Sequence, residues 1–280
     1  MQARSDARRQ SAWRSRLGVL VAGLLLVTSL GFAQFRRGYG VRPATSESFD
    51  GAFNFCRIAF SNAQNGRGGG WSVDYPRADQ NLSIRLSELT KAAISIDRKS
   101  GEPNHVVLQL SDPLLYRCPF IMMTEVGALY LSEPEVLQLR QYLTKGGFLW
   151  ADDFWGSNAW DVWESQIRQV LPSGPYPLVD LPADHPLFHT MFTVRRVPQI
   201  PSINFWRGSG GRTSERGPDS ATPHARAILD EHGRIMVFIT HNTDIGDSFE
   251  HEGTDREYFV TFSVDGYALG INVLVYAMTH

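Results

Sequence analysis

Ser132-Glu-Pro-Glu-Val-Leu-Gln-Leu-Arg-Gln-Tyr-Leu-Thr-Lys-Gly-Gly-Phe-Leu-Trp-Ala-Asp-Asp153 decides the fold class. Ser132 and Glu135 stand three residues apart, the spacing of a capping box, and Pro134 falls in the first helical turn, which needs no N–H there. Val136, Leu139 and Leu143, with Tyr142 beside them, give that helix an apolar face. Gly146-Gly147 ends it, because glycine accepts the left-handed conformation that closes a helix. Phe148–Ala151 then runs without polar alternation, as a strand buried on both faces does. Helix, glycine turn and buried strand predict an α/β chain. The strand delivers two carboxylates, Asp152 and Asp153, at its end.

The flanking sequence repeats this grammar. Pro119–Met123 is a second near-continuous apolar run, and Phe53–Phe60 reads as a strand with Phe53, Phe55, Arg57 and Ala59 on one face. Val106–Leu110 is a shorter strand. Leu82, Leu86, Leu89 and Ala93 predict a helix over 82–93. Asn158 is placed to cap a helix striped by Trp160, Trp163, Ile167 and Val170. Ala225–Leu229 and Ile235–Thr240 flank Glu231-His232-Gly233 and predict a β-hairpin. Asp265–Met278 predicts a closing helix. Residues 172–225 are rich in Pro, Gly and His and read as a long loop-rich insertion, not a second domain. Strands alternating with helices predict one α/β sandwich over 53–280 with a mostly parallel sheet.

The 280 residues are 42% hydrophobic and 20% charged, the composition of a folded chain. Residues 1–33 read as an export signal: five arginines against Asp6, then an apolar run from Leu17 to Ala33, with small Gly31 and Ala33 before a cut after Ala33. The run is short for a span of roughly 20 residues, so a cleaved signal is favoured over an uncleaved N-terminal anchor, and 34–52 is then a linker. Arg8-Arg9 lacks the apolar residues that follow a twin-arginine signal, which favours the general secretory route. The expected location is the periplasm, free or anchored through residues 17–33. Beyond Ala33 the chain holds 22 basic and 28 acidic residues, a net charge of −6. Without a basic surface to neutralise phosphates, nucleic acid is not an expected partner. An envelope protein or a small molecule is. Cys56 and Cys118 stand in apolar surroundings and read first as two buried small hydrophobes. Export leaves a disulfide open as the alternative.

In parallel α/β sheets the ligand crevice lies outside the carboxyl ends of the strands. Thr124 and Glu125, Asp152 and Asp153, and His241 and Asp244 follow three predicted strands and are expected to share one rim. Trp71 and Asp74, after the loop Gly66-Arg-Gly-Gly-Gly70, complete the ligand-binding candidates. Adjacent strand residues point to opposite faces, so one of Asp152 and Asp153 is expected to be a structural tie, for instance to the backbone near Gly156. Catalytic candidates are Asp152, Asp153 and His241. The stretch His241–Glu252 is dense in metal-ligand types but matches no zinc or calcium spacing, so no metal or cofactor is assigned. His185 and His189 flank Pro186 and are not aimed at one metal by a helix. The glycine loop lacks the Gly-Lys-Ser/Thr ending of a phosphate loop. Trp155, Trp160 and Trp163 read as core more readily than as a sugar-stacking face.

The stretches Phe53–Ile58, Trp71–Asp79, Pro119–Glu125, Leu139–Asp153, Asp184–Phe188 and Gly270–His280 resemble the bacterial family called domain of unknown function 4159. The resemblance implies a class I glutamine-amidotransferase-like, flavodoxin-like α/β sandwich. In the glutaminases of that superfamily a nucleophilic Cys follows the strand after a Gly-Gly turn; here Asp152-Asp153 stand in that place, and without a thiolate the acyl-enzyme chemistry has no nucleophile. The expected function is a non-catalytic ligand- or protein-binding module of the cell envelope. The alternative is a metal-assisted hydrolase using Asp152 or Asp153 with His241.

Overall fold

β1, Phe55–Ile58, opens a seven-stranded sheet in the computed structural model, which describes residues 44–280. There follow β2, Ser61–Asn62; α1, Arg77–Thr90; β3, His105–Leu108; β4, Phe120–Thr124; β5, Leu129–Tyr130; α2, Glu133–Thr144; and β6, Phe148–Asp152. Then come α3, Gly156–Val170; β7, Leu178–Asp180; α4, Ile203–Gly208; β8, His224–Leu229; β9, Ile235–His241; α5, Ile245–Glu250; and the closing helix α6, Arg256–Thr279. Residues 1–33, read from the sequence as an export signal, lie outside the described residues.

The sheet order is β3-β1-β4-β6-β9-β8-β7. The first five strands are parallel and, ranked by chain order, run 2-1-3-4-5, a flavodoxin-like α/β sandwich. β8 and β7 add antiparallel strands at the edge. One face buries Phe55, Phe120, Met122, Trp150 and Phe238 against Leu82 and Leu86 of α1 and Leu274 of α6. Intervening residues such as Ile121 and Leu149 are equally buried on the other face, beneath α2 and α3. The capping box of Ser132 and Glu135 forms: Ser132 N donates to Glu135 Oε2 at 2.9 Å.

Several boundaries differ from the sequence reading. The strand at 53–60 contracts to four residues, because Phe53 leaves the ladder to bridge Ile94. α1 starts at Arg77 and stops at Thr90, where Lys91 turns left-handed. α3 begins at Gly156, not after Asn158, because Asn242 Oδ1 accepts the Gly156 N–H at 2.8 Å; Asn158 instead takes a bond from Arg67. The insertion 172–225 is not all loop: β7 extends the sheet and α4 packs over the rim. α6 starts earlier than Asp265, through a π-helical segment Phe259–Ser263. It is long and apolar enough to span a membrane by length and composition, but it packs within the domain on α1, α5 and β4. The two cysteines are bonded, with Cα atoms 6.2 Å apart, which corrects the reading of two separate hydrophobes.

Candidate functional site

Parallel pairing of β1, β4, β6 and β9 carries their carboxyl ends to one edge, where a cleft of about 280 Å³ opens. Asp74 reaches it from the β1–α1 connection, Glu125 from β4, Asp153 from β6, and Asp244, Asp247, Glu250 and His251 from the segment after β9. Ser202, Glu215 and Arg216 of the insertion form the other wall. Seven carboxyl groups thus face two arginines, Arg67 and Arg216, in one concavity.

The backbone is bent to achieve this. Asp74, Glu125, Asp153 and Asn242 hold φ of 62°, 53°, 57° and 61°, the left-handed region that L-residues avoid. Asp and Asn tolerate it through their short polar side chains; Glu125 does not share that relief, and such residues cost of order 1 kcal/mol or more. After β4 and β6 the left-handed residue itself, Glu125 or Asp153, lines the cleft, whereas after β9 Asn242 bonds Gly156 N and Thr222 O and the cleft residue is Asp244. Asp74 is held by a buried ion pair beneath it. Arg57 Nε lies 3.1 and 3.0 Å from the Asp79 oxygens, and its Nη1 donates to the Trp71 and Val73 carbonyls at 3.1 Å. Those carbonyls fix the chain that leads into Asp74.

Asp152 and Asp153 divide as alternation requires. Asp152 turns into the core, accepting from Thr240 Oγ1 and from Gly246 N at 3.0 Å, and burial pushes its carboxyl up to about 7. It is the structural tie, anchored on β9 and α5 instead of near Gly156. Asp153 faces the cleft and accepts from Trp155 Nε1 at 3.1 Å.

Asp74, Asp153 and Asp244 each offer an oxygen within 4.8 Å of the others, and all three are buried. Like charges at that distance repel by roughly 3–4 kcal/mol per pair at an effective dielectric of 20. Burial, reinforced by neighbouring carboxylates, raises all three well above the ordinary aspartate range. Burial likewise lifts Glu125 to about 7 and Asp247 to about 6. The ring of the trio is not closed by protein donors: Asp74 is 5% exposed and its Oδ2 has no hydrogen-bond partner. Oxygen ligands of this kind, gathered without a protein cation among them, suit a hard divalent ion. A second group, Asp247, Glu250 and His251, lines the same cleft, with His251 Nε2 3.5 Å from Asp247 and 3.2 Å from Glu250.

His241 goes elsewhere. Its ring lies 4.7 Å from Phe154 and 5.1 Å from Trp160, on the α3 side of the sheet, and Nε2 bonds Gly156 O at 3.1 Å. Burial depresses it to about 4, so it is neutral. Thr124 is buried in register with Asp152, and Trp71 is buried beside Tyr75; neither lines the cleft. Trp155 does; Trp163 is core, and Trp160 stacks on Phe154. His185 and His189 bond Leu187 N and Ala183 O and join no metal-type cluster among the described residues. The glycine loop packs tightly: Gly68 leaves no room for a Cβ beside Glu125, whose carboxylate accepts from Gly69 N–H.

Sequence reasoning noted the density of metal-ligand types over His241–Glu252, which holds Asp247, Glu250 and His251, but assigned them no site, and it did not single out Glu215 or the Arg57–Asp79 pair. For the ion pair a signal was present: an arginine inside Phe-Asn-Phe-Cys-Arg-Ile, an apolar strand, demands a buried acidic partner.

A family model described as Domain of unknown function (DUF4159) matches residues 57–278. No curated protein matches the chain.

Proposed function

Because the chain belongs to the domain of unknown function 4159 family, a membership that assigns no activity, we propose its role from the cleft: an exported module that binds a divalent cation through Asp74, Asp153 and Asp244 and presents it to an oxygen-bearing ligand. One observation carries this reading. Asp74 Oδ2 is buried, unpartnered and set against two more buried carboxylates, an arrangement that a cation stabilises and that its absence penalises. The Cys56–Cys118 bond supports export, since such bonds persist outside the reducing cytoplasm.

The test is calorimetric titration of the full chain with Mg²⁺, Ca²⁺ and Mn²⁺, paired with thermal unfolding. A cation at a hundred times its dissociation constant stabilises by about 2.7 kcal/mol. Asp74→Asn should abolish both signals. A wild-type chain indifferent to all three ions overturns the proposal.

A second reading is a metal-assisted hydrolase. Glu125 and Asp247, lifted by burial toward neutrality within the cleft, favour it, because a general base works best with a pKa near the working pH. Its base is then one of these, not His241, which faces the other side of the sheet.

A further inference from the structure

At the opposite, amino-terminal end of β1 and β4 lies a cavity of about 360 Å³. Its walls are apolar, with Phe49, Phe53, Ala93 and Met278 among them. Two polar features interrupt them. Asn54 is 6% exposed, and its Oδ1 has no hydrogen-bond partner, although its Nδ2 donates to Ser48 O at 3.0 Å. Arg117 stands exposed at the rim, its guanidinium 5.2 Å from the centre of the Phe49 ring and its Nη2 donating to Phe49 O at 3.5 Å, and it pairs with no carboxylate among the described residues.

An arginine beside an apolar hollow selects an anionic group at the end of an apolar body. We infer that this cavity binds a small amphipathic anion, with its apolar chain in the cavity and its carboxylate on Arg117. The site lies at the other end of the strands from the acidic cleft and does not depend on a cation there.

The probe is N-octanoylglycine, titrated into the full chain by calorimetry below micelle-forming concentration. Saturable one-to-one binding is expected. Arg117→Gln, at an exposed position, should weaken it about tenfold, as should capping the probe as its methyl ester. Ala93→Phe, which fills the cavity from an exposed position, should abolish it. Both variants should keep the wild-type unfolding temperature within a few degrees, showing that they fold. No saturable binding, or binding that either variant or the ester leaves unchanged, overturns the inference.

Discussion

The Oδ2 of Asp74 occupies the space that a Cβ on Gly246 would need. Gly246 sits in the first turn of α5 and its N–H donates to Asp152, so the glycine cannot retreat from the cleft. A methyl group there must push Asp74 away from Asp153 and Asp244. Gly246→Ala should therefore weaken cation binding by about tenfold or more, a loss of about 1.4 kcal/mol. The fold should survive, because alanine is the better helix former. Calorimetry beside an unfolding curve separates the two effects, and an unchanged affinity would count against the arrangement.

Asp152 and Asp153 are adjacent but should respond oppositely to Asn. Asp152→Asn places an amide N–H₂ against the Thr240 hydroxyl or the Gly246 N–H, both donors to the native carboxylate. It should cost about 1–3 kcal/mol of stability. Asp153→Asn removes a crowded charge and keeps a residue type that accepts left-handed backbone. It should leave the unfolding temperature level or higher and eliminate the cation response. A destabilised Asp153→Asn chain, or one that still responds to cations, would reverse these assignments.

The raised carboxyls set a pH dependence. Asp152 near 7, Glu125 near 7 and Asp247 near 6 bind protons in the folded chain that the unfolded chain releases near pH 4. Folding holds more protons than unfolding across that interval, so stability falls as pH rises from about 4 to 7 and stays low above it. Without divalent ions the unfolding temperature should be lower at pH 8 than at pH 5. Added cation should recover much of the loss at pH 8 and little at pH 5. A temperature that climbs over this range would contradict the inverted shifts.

Reduction of Cys56–Cys118 releases a loop of 62 residues. On the chain-entropy model that bond contributes about 4 kcal/mol. For a chain of this size the unfolding temperature should drop by about 10 °C. A drop under a few degrees in the reduced, full-length protein would show that the bond closes a region already ordered in the unfolded state.

Much of this architecture is legible in the sequence because it is locally encoded. The capping box at Ser132, the Gly146-Gly147 stop and the apolar run of β6 each act over a few residues, and together they place Asp152-Asp153 at a strand end. Alternation alone says that only one of the two can enter the cleft. What lies beyond local encoding is set by contacts distant in the chain. Asn242 starts α3 from 86 residues away, which no pattern near Asn158 reveals. Whether His241 joins the acidic group depends on the face that β9 presents, and the aromatic rings of Phe154 and Trp160 claim it. The insertion's contribution of Glu215 and Arg216 is invisible because loops carry no periodicity to place them.

The most direct measurement is a crystal structure of the full chain grown with Mn²⁺ and collected for its anomalous signal. The expected result is one strong peak among the carboxylates of Asp74, Asp153 and Asp244, at the roughly 2.0–2.6 Å typical of oxygen ligands to hard cations. It should vanish in Asp74→Asn crystals grown the same way. A density-free trio in the wild type at millimolar Mn²⁺, or a peak that survives in Asp74→Asn, would contradict a cation site built on these three residues.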